Sequence, residues 1–136
     1  MIVDTSALIA VLRKEPEQKL FLTQLATASA VRISAGSLIE ATAVAIRSRK
    51  IASSAIDRLI ADFSIEVVPV TLEHAELARA AYRAYGRGTG HPARLNFGDC
   101  FAYALAKSTG DPLLFKGDDF AATDIVPAVP IGRAAS

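Results

Sequence analysis

The sequence has few of the features that mark secreted or membrane-spanning proteins. Its single cysteine, Cys100, cannot form a disulfide within the chain, so cysteine use gives no indication of an oxidising compartment. No apolar run approaches the roughly 18–20 residues that a membrane helix needs. The N-terminus also lacks the basic segment of a secretory signal. We therefore expect a cytoplasmic protein with no membrane segment.

The sequence also lacks an excess of charge of either sign. The 15 Lys and Arg residues nearly balance 14 Asp and Glu residues, which argues against a generally basic nucleic-acid-binding coat. A nucleic-acid substrate is not excluded, because opposite charges can lie in different parts of a fold. Apolar residues make up 51% of the 136 residues, too many for a disordered chain and enough for one core. We expect a single domain over residues 1–136, with a frayed tail of about eight residues.

Short apolar segments alternate with helical patterns along the chain. Strands are predicted over residues 1–3, 31–33, 65–70, 113–115 and 125–126. Helices are predicted over residues 7–12, capped by Thr5 or Ser6, from 16 through 25, from 34 or 37 to 49, over 53–63, from a cap at Thr71 to 85, and over 97–107, capped by Asn96 and ended by Gly110. This alternation predicts an α/β fold with a central parallel sheet that helices cover on both faces.

Acidic residues follow two of the predicted strands, Asp4 after the first and the Asp118–Asp119 pair after the fourth. In a parallel α/β sheet, ligands bind at the carboxyl ends of the strands, so these acids are candidates for a site. Each also has a structural interpretation. Asp4 can be an acid at a helix N-terminus, and Gly117-Asp118-Asp119 can be an ordinary turn.

Two further acids, Glu40 and Asp99, lie on predicted helices whose neighbouring residues are small, apolar or uncharged. Glu40 can complete a capping box with Ser37, and Asp99 can belong to a cap formed with Asn96. Neither has a basic residue three or four positions away, however, so neither fits a solvated, ion-paired helix face. The pattern favours side chains that point into a pocket.

Together these acids predict a metal site. Carboxylates that are forced together repel each other, and an all-oxygen ligand set suits Mg²⁺ or Mn²⁺. A divalent ion held in this way can activate water and neutralise a phosphoryl oxygen, which indicates hydrolysis of a phosphate ester. His74, His91 and Cys100 do not have the spacing of a zinc site.

Basic residues form two clusters. The first cluster runs from Arg79 to Arg94 without an acid and also contains Arg83 and Arg87. The second cluster follows the helix of Glu40 and consists of Arg47, Arg49 and Lys50. Solvated helix faces explain these residues equally well. Beside a site that cleaves phosphate esters, the first cluster is a candidate for contacts with an RNA backbone.

Four segments of the chain resemble PIN-domain ribonucleases of the VapC toxin type. They are residues 1–8, 34–40, 96–106 and 113–120, and the resemblance covers almost the whole chain in order. It implies a three-layer α/β/α sandwich and an RNA endonuclease that depends on Mg²⁺ or Mn²⁺. It also implies a homodimer, and inhibition by a cognate VapB-type antitoxin.

The resemblance assigns roles to individual residues. Asp4 and Asp99 correspond to the principal metal ligands, Glu40 to an acid that holds metal or activates water, and Asp119 to the acid of the last motif. Thr5 and Ser6 would support the site through hydrogen bonds. Many PIN domains have another acid where this chain has Gly117, and Asp118 is the residue that could compensate.

Two other functions remain open from the residues alone. A phosphatase of the haloacid dehalogenase type also has an Asp after its first strand, but Ser6 stands where it needs a second acid. A non-catalytic binding module would use the acids only as caps and turns. Divalent-dependent cleavage of RNA separates the nuclease from both.

Overall fold

A parallel sheet of four strands forms the centre of the molecule in this computed structural model, which describes residues 1–130. The strands are β1 (Ile2–Val3), β2 (Arg32–Ser34), β3 (Glu66–Val68) and β4 (Leu113–Leu114), in the spatial order β3-β2-β1-β4. The helices are α1 (Thr5–Leu12), α2 (Gln18–Thr27), α3 (Ala35–Ser48), α4 (Ser53–Asp62), α5 (Leu72–Tyr85) and α6 (Asp99–Thr109). The predicted parallel sheet is therefore confirmed.

The two halves of the core lie on opposite faces of the sheet, because successive side chains of a strand point in opposite directions. Val3 and Leu114 pack in a cluster with buried residues of α1, α2, α3 and α4. Ile2 and Leu113 pack in a second cluster with α5 and α6. Helices thus cover both faces, as a three-layer α/β/α fold requires.

Several predicted element boundaries change in the structure. The second helix begins at Gln18 rather than Pro16, because the residues before it form a turn in which Glu15 and Glu17 pair with Lys116. The strand predicted over 65–70 ends at Val68, one residue before a proline that has no N–H to donate to a sheet.

The chain end after β4 also differs from prediction. The strand expected at 125–126 is instead an isolated bridge between Leu113 and Pro127. Val129 packs against the first core cluster. The remainder of the predicted frayed tail, from residue 131 onward, lies outside the described residues. No helix within residues 1–130 combines the length and the apolar composition needed to cross a membrane.

Candidate active site

Asp4 lies at the carboxyl end of β1, at the point where the chain turns into α1. Its backbone N–H donates to the carbonyl oxygen of Leu114, and its Oδ2 accepts a hydrogen bond of 3.0 Å from the backbone N–H of Ser6. Asp4 is therefore the N-cap of α1, and the prediction that Thr5 or Ser6 caps this helix is wrong. The reason is that β1 ends at Val3, which leaves Asp4 as the last extended residue.

The other carboxylate oxygen of Asp4 has no hydrogen-bond partner within the described residues, although it is fully buried. Burial raises the pKa of Asp4 to about 6, and the nearby charge of Glu40 adds to the shift, while hydrogen bonds from Ser6 oppose it. A buried charged oxygen without a partner is costly, so this atom calls for a proton or a cation.

Asp99 is the first residue of α6 and exchanges two hydrogen bonds with Asn96. Its Oδ2 accepts from the Asn96 backbone N–H at 3.0 Å, and its own N–H donates to Asn96 Oδ1 at 2.9 Å. The N-cap residue of α6 is Gly98, so the prediction that Asn96 is the N-cap is wrong, although the Asn96 side chain does accept from the first N–H of the helix. The helix begins at Asp99 rather than at residue 97, since the preceding turn is closed by bonds between residues three apart, such as Cys100 N–H to the Phe97 carbonyl.

The environment of Asp99 disfavours its negative charge. The pKa of Asp99 is raised to about 7, mainly by burial and in smaller part by repulsion from Asp4, Asp119 and Glu40, against the lowering effect of the Asn96 N–H. Three acids from different parts of the sequence are therefore near enough to Asp99 to influence it. Carboxylates that repel one another in this way are stabilised when a cation binds between them.

Glu40 lies in the interior of α3, not in its first turn. The helix begins at Ala35 and is capped by Ser34, whose Oγ accepts a hydrogen bond of 3.2 Å from Gly36 N–H. The alternative of a capping box between Ser37 and Glu40 is therefore wrong. The Glu40 carboxylate instead lies against Gly98, where a Cβ would overlap it.

The predicted acids line one cavity of about 430 Å³ at the carboxyl ends of β1 and β4. Its acidic and hydroxyl-bearing lining residues from the prediction are Asp4, Thr5, Ser6, Glu40, Asp99 and Asp119. Asp118 is not among the lining residues and is exposed. The structure thus brings together all but one of the acids selected from the sequence.

Thr5 and Ser6 connect α1 to the elements around the cavity. Thr5 Oγ1 donates a buried hydrogen bond of 2.8 Å to the carbonyl oxygen of Ser37 on α3. Ser6 Oγ accepts one of 3.0 Å from the backbone N–H of Lys116, which follows β4. These bonds hold three acid-bearing segments in fixed positions relative to one another.

The cations at the cavity are not the ones that the sequence suggested. Arg13 and Lys116 line it, and Lys116 Nζ pairs with both Glu15 and Glu17. None of the four arginines predicted for RNA contact lines this cavity: Arg79, Arg83, Arg87 and Arg94. Sequence reasoning missed Arg13 and Lys116 because acids close by in the sequence make both look like ordinary solvated surface charges.

The donor chemistry of the cavity fits Mg²⁺ or Mn²⁺. The ligand atoms on offer are carboxylate and hydroxyl oxygens, and the buried Asp4 Oδ1 has no partner within the described residues. No three Asp, Glu, His or Cys side chains within residues 1–130 converge closely enough to form a ready metal cage. Mg²⁺ retains several water ligands, so acids that line the cavity can hold it through bound water as well as directly.

Comparisons with known proteins give the family. The PIN domain model matches residues 1–126. Ribonuclease VapC42 of Mycobacterium tuberculosis is 48% identical over 129 residues, which cover 94% of this chain and 98% of that protein. Ribonuclease VapC28 of the same species is 49% identical over 130 residues, covering 95% and 98%.

Two solved structures share the fold at 21% identity. The M. tuberculosis toxin VapC20, described as cleaving the sarcin–ricin loop, superposes with a TM-score of 0.71 over 95% of this chain and 98% of that one. A chain of a toxin–antitoxin complex from Klebsiella pneumoniae superposes with a TM-score of 0.65 over 90% of this chain and 92% of that one. From its order of elements, its acidic cavity and these matches, the chain belongs to the PIN-domain family, among the VapC ribonucleases.

Proposed function

We propose that this protein is an endoribonuclease toxin that hydrolyses RNA with the help of a bound Mg²⁺ or Mn²⁺ ion. The observation that carries the proposal is the acidic cavity, in which the buried Oδ1 of Asp4 has no partner within the described residues and the carboxyl of Asp99 has a pKa raised to about 7. Such a site is costly without a cation. Relatives of nearly half identity that are named ribonucleases support the choice of RNA.

Asp4, Glu40, Asp99 and Asp119 would hold the ion. When bound, a divalent ion supplies an activated water and neutralises charge on the phosphate. The chain contributes the positions of the ligands: Ser6 fixes one oxygen of Asp4, and Asn96 fixes one oxygen of Asp99. In each case the other oxygen is left to bind the ion.

Glu40 has a different setting from the two capped aspartates. No hydrogen bond holds its carboxylate within the described residues, and it is partly exposed beside Gly98. A carboxylate with this freedom can accept a proton from a water at the cavity, which is the work of a general base. We assign it that role in addition to ligation.

Two partners accompany this function. A cognate antitoxin of the VapB type is supported by the VapC relatives and by the Klebsiella toxin–antitoxin neighbour. A second copy of the chain is supported by large apolar side chains that stay exposed on α3, α5 and the segment before α6. They include Ile39 at 71% exposure, Leu72 at 79% and Phe97 at 76%. An RNA substrate and a single cysteine fit action in the cytoplasm.

The test is cleavage of total bacterial RNA by the purified protein, with Mg²⁺ or Mn²⁺ and with EDTA, followed by mapping of the new ends. Cleavage should require the ion and should disappear in Asp4→Asn and Asp99→Asn. Asp57→Asn, an exposed aspartate on α4, is the matched control and should cleave as the parent does. If the two cavity variants fold and cut RNA at the parent's rate, the nuclease assignment is wrong.

Two alternatives from the sequence are resolved differently. Membership of the PIN family sets aside the phosphatase of the haloacid dehalogenase type, whose fold is another one. A non-catalytic binding module would not cleave RNA with or without the ion. Ion-dependent cleavage in the same experiment would therefore exclude it.

A further inference from the structure

A groove between α1 and α3 leads away from the acidic cavity. Residues four apart lie on the same face of a helix, so each helix contributes one stripe of side chains to this groove. The stripes are Thr5, Ile9 and Arg13 on α1, and Glu40, Val44 and Ser48 on α3. Acids and hydroxyls stand at one end of the groove, and a cation stands at the other.

A second and larger cavity, of about 710 Å³, continues the groove beyond the ends of both helices. Arg13 and Glu15 line both cavities, so the two spaces adjoin. The larger one is also lined by Lys14 and Lys50. Its one acid, Glu15, pairs with Lys116, which leaves the lining with a surplus of positive charge.

The three cations of this cavity have no anionic partner in the part of the chain that the structure describes. Arg13, Lys14 and Lys50 are exposed, and none forms an ion pair within residues 1–130. Arg79, from the cluster that the sequence suggested, instead pairs with Glu76 at 3.1 Å. The cations available beside the acidic cavity are therefore those at the ends of α1 and α3.

We propose that this basic cavity, lined by Arg13, Lys14 and Lys50, binds the phosphate backbone of the RNA strand next to the cleavage point. The inference rests on the proposed function, because it describes the path that the RNA substrate takes from the acidic cavity into the basic cavity. From Asp4 to Arg13, α1 rises nine residues, or about 14 Å, so the cations meet phosphates further along the strand and not the scissile one. Contacts of this kind position a nucleic acid without reading its sequence.

The salt dependence of cleavage tests the path. The substrate is an oligoribonucleotide that spans a cut site mapped with the parent protein, and the variant is Arg13→Ala/Lys14→Ala/Lys50→Ala. Each phosphate contact to a single strand contributes about 0.7 to the slope of log affinity against log salt. Losing three contacts should therefore reduce the slope of log KM against log salt by about 2. Between about 50 and 200 mM salt, the KM of the parent should then rise roughly 20-fold more than that of the variant.

Two controls separate a lost contact from a lost fold. Arg58→Ala, an exposed arginine on α4 outside both cavities, should keep the parent's slope. The triple variant should keep the parent's Tm and its stabilisation by Mg²⁺, because none of its three changes removes one of the acids that would hold the ion. The charge-conserving variant Arg13→Lys/Lys50→Arg should keep the parent's salt slope.

The outcomes are distinguishable. If the parent cleaves RNA and the triple variant has the same KM and salt slope, the path is wrong while the nuclease function stands. If the parent does not cleave RNA at all, both fail. If RNA kinetics are unchanged but inhibition by an antitoxin peptide is lost, the cavity binds a protein segment and the RNA path is overturned.

Discussion

The carboxyl group of Glu40 occupies the space that a side chain at Gly98 would fill. The φ and ψ angles of Gly98, −63° and −37°, are those of a right-handed helix, so its backbone does not require glycine. What the position requires is room. Because Gly98 directly precedes Asp99, this close approach sets an acid of α3 beside an acid of α6.

Gly98→Ala should therefore reduce activity without loss of stability. The added methyl group displaces the flexible end of Glu40, and a misplacement of about 1 Å can reduce the rate of an enzyme by about 100-fold. We expect RNA cleavage to fall roughly 10- to 100-fold. The free energy of unfolding should stay level or rise by about 0.4–1 kcal/mol, since alanine reduces the freedom of the unfolded chain.

Thermal denaturation and initial cleavage rates, measured together, check this expectation. Glu40→Gln is the reference, because it removes the charge without moving the side chain. Full activity in Gly98→Ala would show that the position of Glu40 does not matter to the reaction. A loss of activity that follows a fall in Tm would assign Gly98 a purely structural role.

The stability of the ion-free protein should fall as pH rises from about 4 to 7. Burial raises the pKa of Asp4 from 3.8 to about 6 and that of Asp99 from 3.8 to about 7. Across this range the folded protein retains protons that the unfolded chain releases, so the free energy of unfolding decreases with pH. Each unit of pKa difference corresponds to about 1.4 kcal/mol.

Urea denaturation in EDTA at pH 5 and pH 8 measures the effect. Other groups titrate over the same range, so the informative quantity is the difference between the parent and Asp4→Asn/Asp99→Asn. The double variant should lose much of the parent's decline in stability. An equal decline in both proteins would mean that the two carboxyls do not hold their protons in the folded state.

Replacing Asp4 alone should abolish the stabilisation of the protein by magnesium. In EDTA at pH 8, Asp4→Asn removes a buried charge that lacks a counter-ion, so we expect a gain of about 1–3 kcal/mol in the free energy of unfolding. The parent should be stabilised by Mg²⁺, by about 2.7 kcal/mol at 100 times its Kd, and the variant should not. Asp57→Asn should respond to Mg²⁺ as the parent does, and an unchanged melt of the parent with both Mg²⁺ and Mn²⁺ would refute the ion site.

The sequence was sufficient for the order of elements and for the parallel sheet, because the strands are short apolar runs and most helix ends carry clear signals. Thr71 and Gly110 end up as predicted, as a hydroxyl cap for α5 and a left-handed glycine after α6. The ends that moved depend on contacts between distant segments. The start of α2 is one of them, since Lys116 pairs with the two glutamates that precede it.

The acids of the candidate site could be selected from the sequence, but the residues that surround them could not. Asp4 and Asp119 stand out because they follow predicted strands, and Glu40 and Asp99 because they lack basic neighbours on their helices. Their spatial setting depends on an absent side chain at Gly98 and on cations that belong to other elements. The local sequence does not identify these residues, because the Gly98 contact joins α6 to α3, and Arg13 and Lys116 reach the cavity from segments far apart in the sequence.

The neighbouring acids Asp118 and Asp119 should differ sharply in their effect on cleavage. Both are exposed, but Asp119 lines the acidic cavity and its charge raises the pKa of Asp99, whereas Asp118 does not line the cavity. Gly117 starts the turn with φ +98°, a backbone conformation that glycine adopts readily, and it also lines the cavity.

We therefore expect Asp119→Asn to lower the cleavage rate by roughly 10-fold or more, as the loss of a group that acts on the reacting atoms does. Asp118→Asn should stay within about twofold of the parent, since surface substitutions have small effects. An NMR titration adds an independent reading: the pKa of Asp99 should fall in Asp119→Asn and stay unchanged in Asp118→Asn. The reverse order of effects would mean that the turn presents Asp118 to the cavity during catalysis, in which case Asp118 supplies the acid that Gly117 does not.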